Sequence, residues 1–252
     1  MSRGLKVAAP IAVIAALVVV WWAAVVITES VIFPTPWQVV LGAAELARQG
    51  TLLTHVASSL LRVGAGYLLA ITLAVPLGIL MGWFGGVFAA LNPLTQLLRP
   101  ISPIAWIPLA IIWFGVGDLA PIFLIFLSSF LPIVVETTVG VHTIEQQYIR
   151  AARNFGVSSL KLFRLVIVPG ALPQIIVGLR ISLGVAWLVV VAAEMIALRS
   201  GLGYLIIDSR NAGNRYDLVV AGMVIIGGTG LLLDSLMRCL EKVGPVQWKY
   251  GR

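Results

Sequence analysis

Six long apolar runs, each carrying at most two charged residues, constrain this chain more than any other feature. They lie at about 7–28, 58–81, 91–116, 119–141, 172–198 and 218–240. A helix of about 20 apolar residues crosses the roughly 30 Å hydrocarbon layer of a bilayer. The expected fold class is therefore an all-α membrane protein with six transmembrane helices. Composition agrees: of 252 residues, 60% are hydrophobic and 11% charged, where soluble domains carry about 25% charged residues. A water-soluble globular domain and a disordered chain are both excluded. The single cysteine, Cys239, rules out an intramolecular disulfide framework and reads as a small buried or lipid-facing side chain.

The runs divide the chain. Residues 1–28 form an N-terminal transmembrane helix with Trp21 and Trp22 near the far interface, where amphipathic rings settle. A signal peptide is the competing reading, since Arg3 and Lys6 precede the run; the run exceeds the roughly 7–15 residues of a signal core. Residues 29–57 form a periplasmic segment. In it Phe33-Pro34-Thr35-Pro36 is extended, because each proline restricts its predecessor, and 37–49 make a short surface helix ended by Gly50. Residues 58–240 form a core of five spans, and 241–252 a cytoplasmic tail. In the second span Gly64, Gly66, Gly78 and Gly82 let another helix approach closely.

The third run carries prolines at 93, 100, 103 and 108. Each removes an amide donor and disfavours helix behind it. Broken backbone cannot face lipid; it must be buried in protein or line a cavity.

The basic residues orient the chain. With the N-terminus inside, Arg3, Lys6, Arg150, Arg153, Lys161, Arg164, Arg238, Lys242, Lys249 and Arg252 are cytoplasmic. Arg48, Arg199, Arg210 and Arg215 are outside, and Arg62, Arg99 and Arg180 lie within spans. That distribution satisfies the positive-inside bias with both termini cytoplasmic. It also makes the net charge of +7 a topology signal and not a nucleic-acid signal.

Catalytic chemistry is sparse. There is no phosphate-cradling G-x-x-x-x-G-K-[ST] loop, no H-E-x-x-H and no Cys/His cluster with metal spacing. His55 and His142 fall on opposite expected sides, so a Ser/His intramembrane hydrolase lacks its pair. A stand-alone secondary transporter stays open, although no inverted repeat is evident.

The most informative stretch is the cytoplasmic segment 142–171. Residues 145–155 read as a short helix, Gly156 as its left-handed stop, and Ser158 as the N-cap of a second helix. Pro169 and Pro173 are expected to end that helix and start the fifth span. Ala151 and Ala152 remove bulk from one face, so another protein can approach.

Here the sequence resembles a family. Ala151-Ala152, Gly156 and the run into Val168-Pro169 are similar to the coupling loop of binding-protein-dependent ABC importer permeases, with Arg150 in place of the usual glutamate. The stretches 99–109 and 112–115, Pro169-Gly170-Ala171-Leu172-Pro173, Gly178-Leu179-Arg180-Ile181, Ala192-Ala193-Glu194-Met195-Ile196 and Gly201-Leu202-Gly203-Tyr204 resemble the nitrate/sulfonate/taurine branch.

The resemblance implies a type I ABC importer transmembrane domain (MetI-like) in the bacterial inner membrane. It implies a second copy of the chain, two cytoplasmic ATPase subunits and a periplasmic substrate-binding protein as partners. No cofactor is expected in this chain; ATP and Mg2+ belong to the ATPase subunits. Arg150, Ala151, Ala152, Arg153, Phe155, Gly156 and Ser158 are then the candidate ATPase-coupling residues. Arg99, Ser102, Trp106, Trp187 and Glu194 are the candidate pathway residues. The implied cargo is a small anion, an aliphatic sulfonate or taurine, with nitrate or bicarbonate as the alternative. Charges inside the membrane are costly and usually face protein. Arg180 is expected to snorkel or pair with Glu136, and Glu194 to pair with Arg62 or Arg199.

Overall fold

Backbone in hydrocarbon has to satisfy its own hydrogen bonds, and every apolar run becomes helix. The computed structural model describes residues 3–29 and 32–241; the expected tail beyond 241 lies outside them. The helices are α1 (Arg3–Thr28), α2 (Pro36–Arg48), α3 (Thr51–Trp83), α4 (Gly85–Leu98), α5 (Ile107–Phe114), α6 (Leu119–His142), α7 (Gln146–Asn154), α8 (Ser159–Leu162), α9 (Val168–Ala197), α10 (Leu202–Asn211) and α11 (Tyr216–Glu241).

Among the described residues five stretches are long and apolar enough to span a membrane, at Ala8–Thr28, Thr51–Trp83, Leu119–His142, Ser159–Ile196 and Tyr216–Cys239. A sixth span exists if α4 and α5 are taken as one broken crossing; the two halves are bent by 84°.

α6 is the axis of the bundle, with α3 and α9 packed along it. Small residues on α3 make that approach possible. A β-carbon on Gly66 would sit 2.8 Å from Ile125 Cβ, one on Gly78 2.6 Å from Thr137 Cβ, and one on Gly82 2.5 Å from Val141 Cβ. Gly64 faces open space instead. The Thr138 hydroxyl donates across the α3–α6 seam to the Gly78 carbonyl at 3.1 Å. α1 stands apart, with Ile11, Ile14, Leu17 and Val20 exposed along it. At the other flank Arg215 clamps α2 to the start of α11, donating to Glu45 at 2.6 Å and to Asp217 at 2.8 Å. Hydrogen bonds to Asp217 and Glu45 push its guanidinium above the ordinary arginine pKa.

Three boundaries differ from the expectation. α3 begins at Thr51 rather than near Ser58. At ~1.5 Å per residue its 33 residues reach about 50 Å, so its polar first turns stand outside the hydrocarbon.

The proline-rich run breaks at 99–106, while Pro93 sits inside α4 without ending it. Pro103 and Pro108 open the first turns of the short 3-10 turn 103–106 and of α5, where a missing amide costs no helical bond.

Pro169 and Pro173 do not end a helix: Ser159–Ile196 passes for a single span. A π-helical turn at Phe163–Ile167 widens the register just before Pro169, and so accommodates a ring that would otherwise clash one turn back.

Candidate functional site

Three assemblies of candidate side chains lie along the bundle. The first is at the end where α3 and α6 finish and α9 begins. There α7 is a short amphipathic helix held by Ile149, which is buried with Val141, Leu162, Ile167, Ala171 and Ile175. It stops where the expectation put the stop. Gly156 has φ +72°, a left-handed conformation that glycine adopts without penalty. Ser158 occupies the cap position of α8 in extended backbone, but its hydroxyl makes no capping bond.

The face of α7 is divided. Arg150, Ala151, Arg153 and Phe155 point outward, and Phe155 is 89% exposed. Ala152 is half-buried and packs inward against the Ile149 cluster. The two alanines therefore do different work: Ala151 keeps the outer face low, and Ala152 lets α7 sit down on its own bundle. Beside α7 an apolar cleft of about 470 Å3 runs between Tyr148, Ala151, Leu165 and Pro169.

The second assembly is the broken span. Arg99 and Trp106 line one cavity of about 310 Å3, together with Ile101, Leu131 and Glu136. The placement follows from the break: Arg99 caps α4, the chain turns through residues 100–102, and the 3-10 turn ends at Trp106. Ser102 is exposed within the same break. Among the described residues Arg99 forms no ion pair. Glu136 accepts a hydrogen bond from the Gln174 amide at 2.5 Å.

Trp187 and Glu194 lie elsewhere. Trp187 is 6% exposed, donates its indole N–H to the Ile226 carbonyl at 3.2 Å, and packs α9 on α11 against Gly230. Arg180 does not reach Glu136 as expected; its guanidinium bonds Asp234 on α11 at 2.7 Å. Glu136 is held by Gln174 instead.

The third assembly, at the end of the bundle opposite α7, is a buried polar knot. Glu194 is fully buried. Its carboxylate accepts from Ser59 Oγ at 2.8 Å, Arg62 Nη1 at 2.7 Å and the Gly203 amide at 3.0 Å. Arg62 also bonds Asp118 at 2.8 Å, the Ser200 carbonyl at 2.9 Å and the Ser200 hydroxyl at 2.5 Å. His55 Nδ1 accepts from the Gly201 amide at 3.1 Å.

The chain folds back tightly after α9, and Gly201 turns with φ +108° directly over the carboxylate; a β-carbon there would lie 2.2 Å from Glu194 Cδ. The knot ties α3, α9, the α5–α6 turn and the α9–α10 turn together. Of the two partners expected for Glu194, Arg62 is the one found. Sequence reasoning missed Ser59, Ser200 and the bridging role of Asp118. The signal available was two opposite intramembrane charges, Arg62 and Glu194, each of which needs partners.

Residues 74–242 match the family of binding-protein-dependent transport system inner membrane components. The taurine transport system permease of Escherichia coli K12 is 37% identical over 246 residues, covering 94% of this chain and 88% of that protein. The nitrate import permease of Leptolyngbya laminosa is 40% identical over 183 residues, covering 73% of this chain and 65% of that protein. Among solved structures, a chain of the methionine ABC transporter MetNI superposes with a TM-score of 0.63 at 17% identity, covering 75% of this chain and 92% of that one; the fold is thus that of a type I importer transmembrane domain. The chain belongs to the binding-protein-dependent transport system inner membrane components: it is a multi-pass permease subunit of an ABC importer, a transport component whose partner subunit hydrolyses the ATP.

Proposed function

We propose that two copies of this chain enclose a translocation pathway for a small sulfonate anion, with taurine the first candidate. The carrying observation is Arg99. It is a guanidinium without an acidic partner among the described residues, set on the broken span and bordering a cavity. Similarity to a taurine permease along 94% of the chain supports the same substrate class. The side chain is exposed at the bend, where a passing anion would compensate its charge.

In this reading residues 142–171 and both termini are cytoplasmic. The outer face of α7, with Arg150, Ala151, Arg153 and Phe155, docks on a separate ATPase subunit. That subunit binds ATP and Mg2+. A periplasmic binding protein delivers the substrate to the other end, near the knot around Glu194. ATP binding and hydrolysis bias a two-state equilibrium between inward and outward openings. The rigid run Ser159–Ile196, about 57 Å long at ~1.5 Å per residue, links α7 to that far end.

The test is ATP-dependent uptake into proteoliposomes holding this chain, its ATPase and its binding protein. Uptake of radiolabelled taurine is expected. Nitrate uptake without taurine uptake would replace the sulfonate reading by the runner-up, which the 40% identity to a nitrate permease favours.

A further inference from the structure

The Arg99 cavity has a second charge in its wall. Glu136 borders the same cavity of about 310 Å3, projecting from α6 opposite the broken span. The two do not pair: among the described residues neither has an oppositely charged partner, in the other or elsewhere. Arg99 is exposed at the bend and Glu136 is half-buried. Opposite charges bordering one apolar space lower their energy by closing on each other, unless something holds them apart.

The structure supplies the hold on one side. The Gln174 amide donates to Glu136 Oε2 at 2.5 Å. The stem of Glu136 is wedged against Gly178, where an added β-carbon would come within 2.6 Å of Glu136 Cβ. The side chain is thus fixed at its base and at one oxygen, and among the described residues the other oxygen accepts no hydrogen bond. On the opposite side Arg99 follows the last turn of α4, where the chain leaves the helix axis. The rest of the wall is mostly apolar, with Ile101, Trp106, Leu131 and Val135, and it includes Ser128.

The volume amounts to about ten waters at ~30 Å3 each, which suits an organic ion of a few heavy atoms.

We infer that Glu136 reads a cationic group on the substrate, so that the pathway selects a zwitterion with an anionic head and an ammonium tail over a simple anion. An amino-alkanesulfonate meets the three requirements in order. Its sulfonate offers three acceptor oxygens to the forked guanidinium of Arg99. Its short alkyl link lies along Ile101 and Trp106. Its ammonium donates to the free oxygen of Glu136. A plain anion such as nitrate satisfies Arg99 and leaves Glu136 uncompensated, which counts against it. The inference rests on the sulfonate reading above and narrows it.

The experiment compares uptake of taurine and of ethanesulfonate, which has the same two-carbon chain and sulfonate without the ammonium, in the reconstituted importer. Each is delivered by the same binding protein, so the delivery preference cancels when the taurine-to-ethanesulfonate ratio is compared between permeases. Glu136→Gln keeps the shape and the acceptor for Gln174 and removes the charge. The ratio is expected to fall about tenfold or more, the scale of a lost hydrogen bond to a charged group. Glu136→Asp keeps the charge but draws it back by one methylene, and should restore part of the ratio. An unchanged ratio in Glu136→Gln, or an equal fall for both sulfonates, overturns the role of Glu136 while leaving the sulfonate reading standing. Nitrate uptake with neither sulfonate transported overturns both.

Discussion

Arg62 holds the knot at the end opposite α7, and its removal has a calculable cost. The side chain is 6% exposed and pairs with two carboxylates in different settings: Glu194, fully buried, and Asp118, 67% exposed. The exposed pair contributes about 0–1 kcal/mol. The buried pair dominates. Deleting one member of a buried pair strands the other charge and costs about 3–5 kcal/mol. Ser59 and the Gly203 amide still solvate Glu194, which places the expected loss for Arg62→Ala toward the lower end of that range.

The assay is denaturant unfolding in detergent micelles with a double-mutant cycle. Arg62→Ala with Glu194→Gln should couple by about 1–3 kcal/mol. Arg62→Ala with Asp118→Asn should couple by no more than about 1 kcal/mol. Arg62→Lys should recover only part of the loss, because one ammonium cannot reproduce the fork that reaches Glu194, Asp118 and Ser200 together. A folded Arg62→Ala protein within about 0.5 kcal/mol of the parent, or stronger coupling to Asp118 than to Glu194, would refute the reasoning.

Gly201→Ala puts a β-carbon on a φ of +108° and 2.2 Å from the Glu194 carboxyl carbon; a loss of at least about 1–3 kcal/mol is expected from the backbone alone, read by the same titration. Phe155→Ala should leave unfolding unchanged, since the ring is 89% exposed, but should reduce co-purification with the ATPase subunit; Ala152→Trp should instead lower stability, by overpacking the Ile149 cluster. Single cysteines at Ser158 and Gln49 should label with an impermeant reagent from opposite faces of the membrane, and labelling of both from one face would contradict the topology.

The spans were legible because hydrocarbon admits so few backbone solutions; long apolar runs can only be helices here. The stop at Gly156 was equally legible, because a left-handed residue between two helices names its own type. The break in the third run was visible as prolines, but its place was not. Pro93 and Pro108 are tolerated within or at the start of helices, and only Pro100 and Pro103 fall at the break. Partner choice was the least legible level. Arg180 could be matched with Glu136 on spacing alone, whereas the choice of Asp234 depends on how α11 packs on α9. The same holds for the division between Ala151 and Ala152, which depends on what lies beneath α7. Ser59 carries no mark in the sequence; only the fold brings it to Glu194 across 135 residues.

In the proposed mechanism the broken span with Arg99 lines the path of the substrate, and α7 couples that path to ATP. One measurement separates the two: substrate uptake and ATP hydrolysis recorded together, in proteoliposomes, for Arg99→Ala. Removing the guanidinium takes away the compensating charge for an anion in a low-dielectric passage and leaves α7 untouched. Uptake is expected to fall about tenfold or more, with the ATPase subunit still bound and its hydrolysis still stimulated by the loaded binding protein. Undiminished uptake in Arg99→Ala, or loss of the ATPase subunit from the assembly, would contradict it.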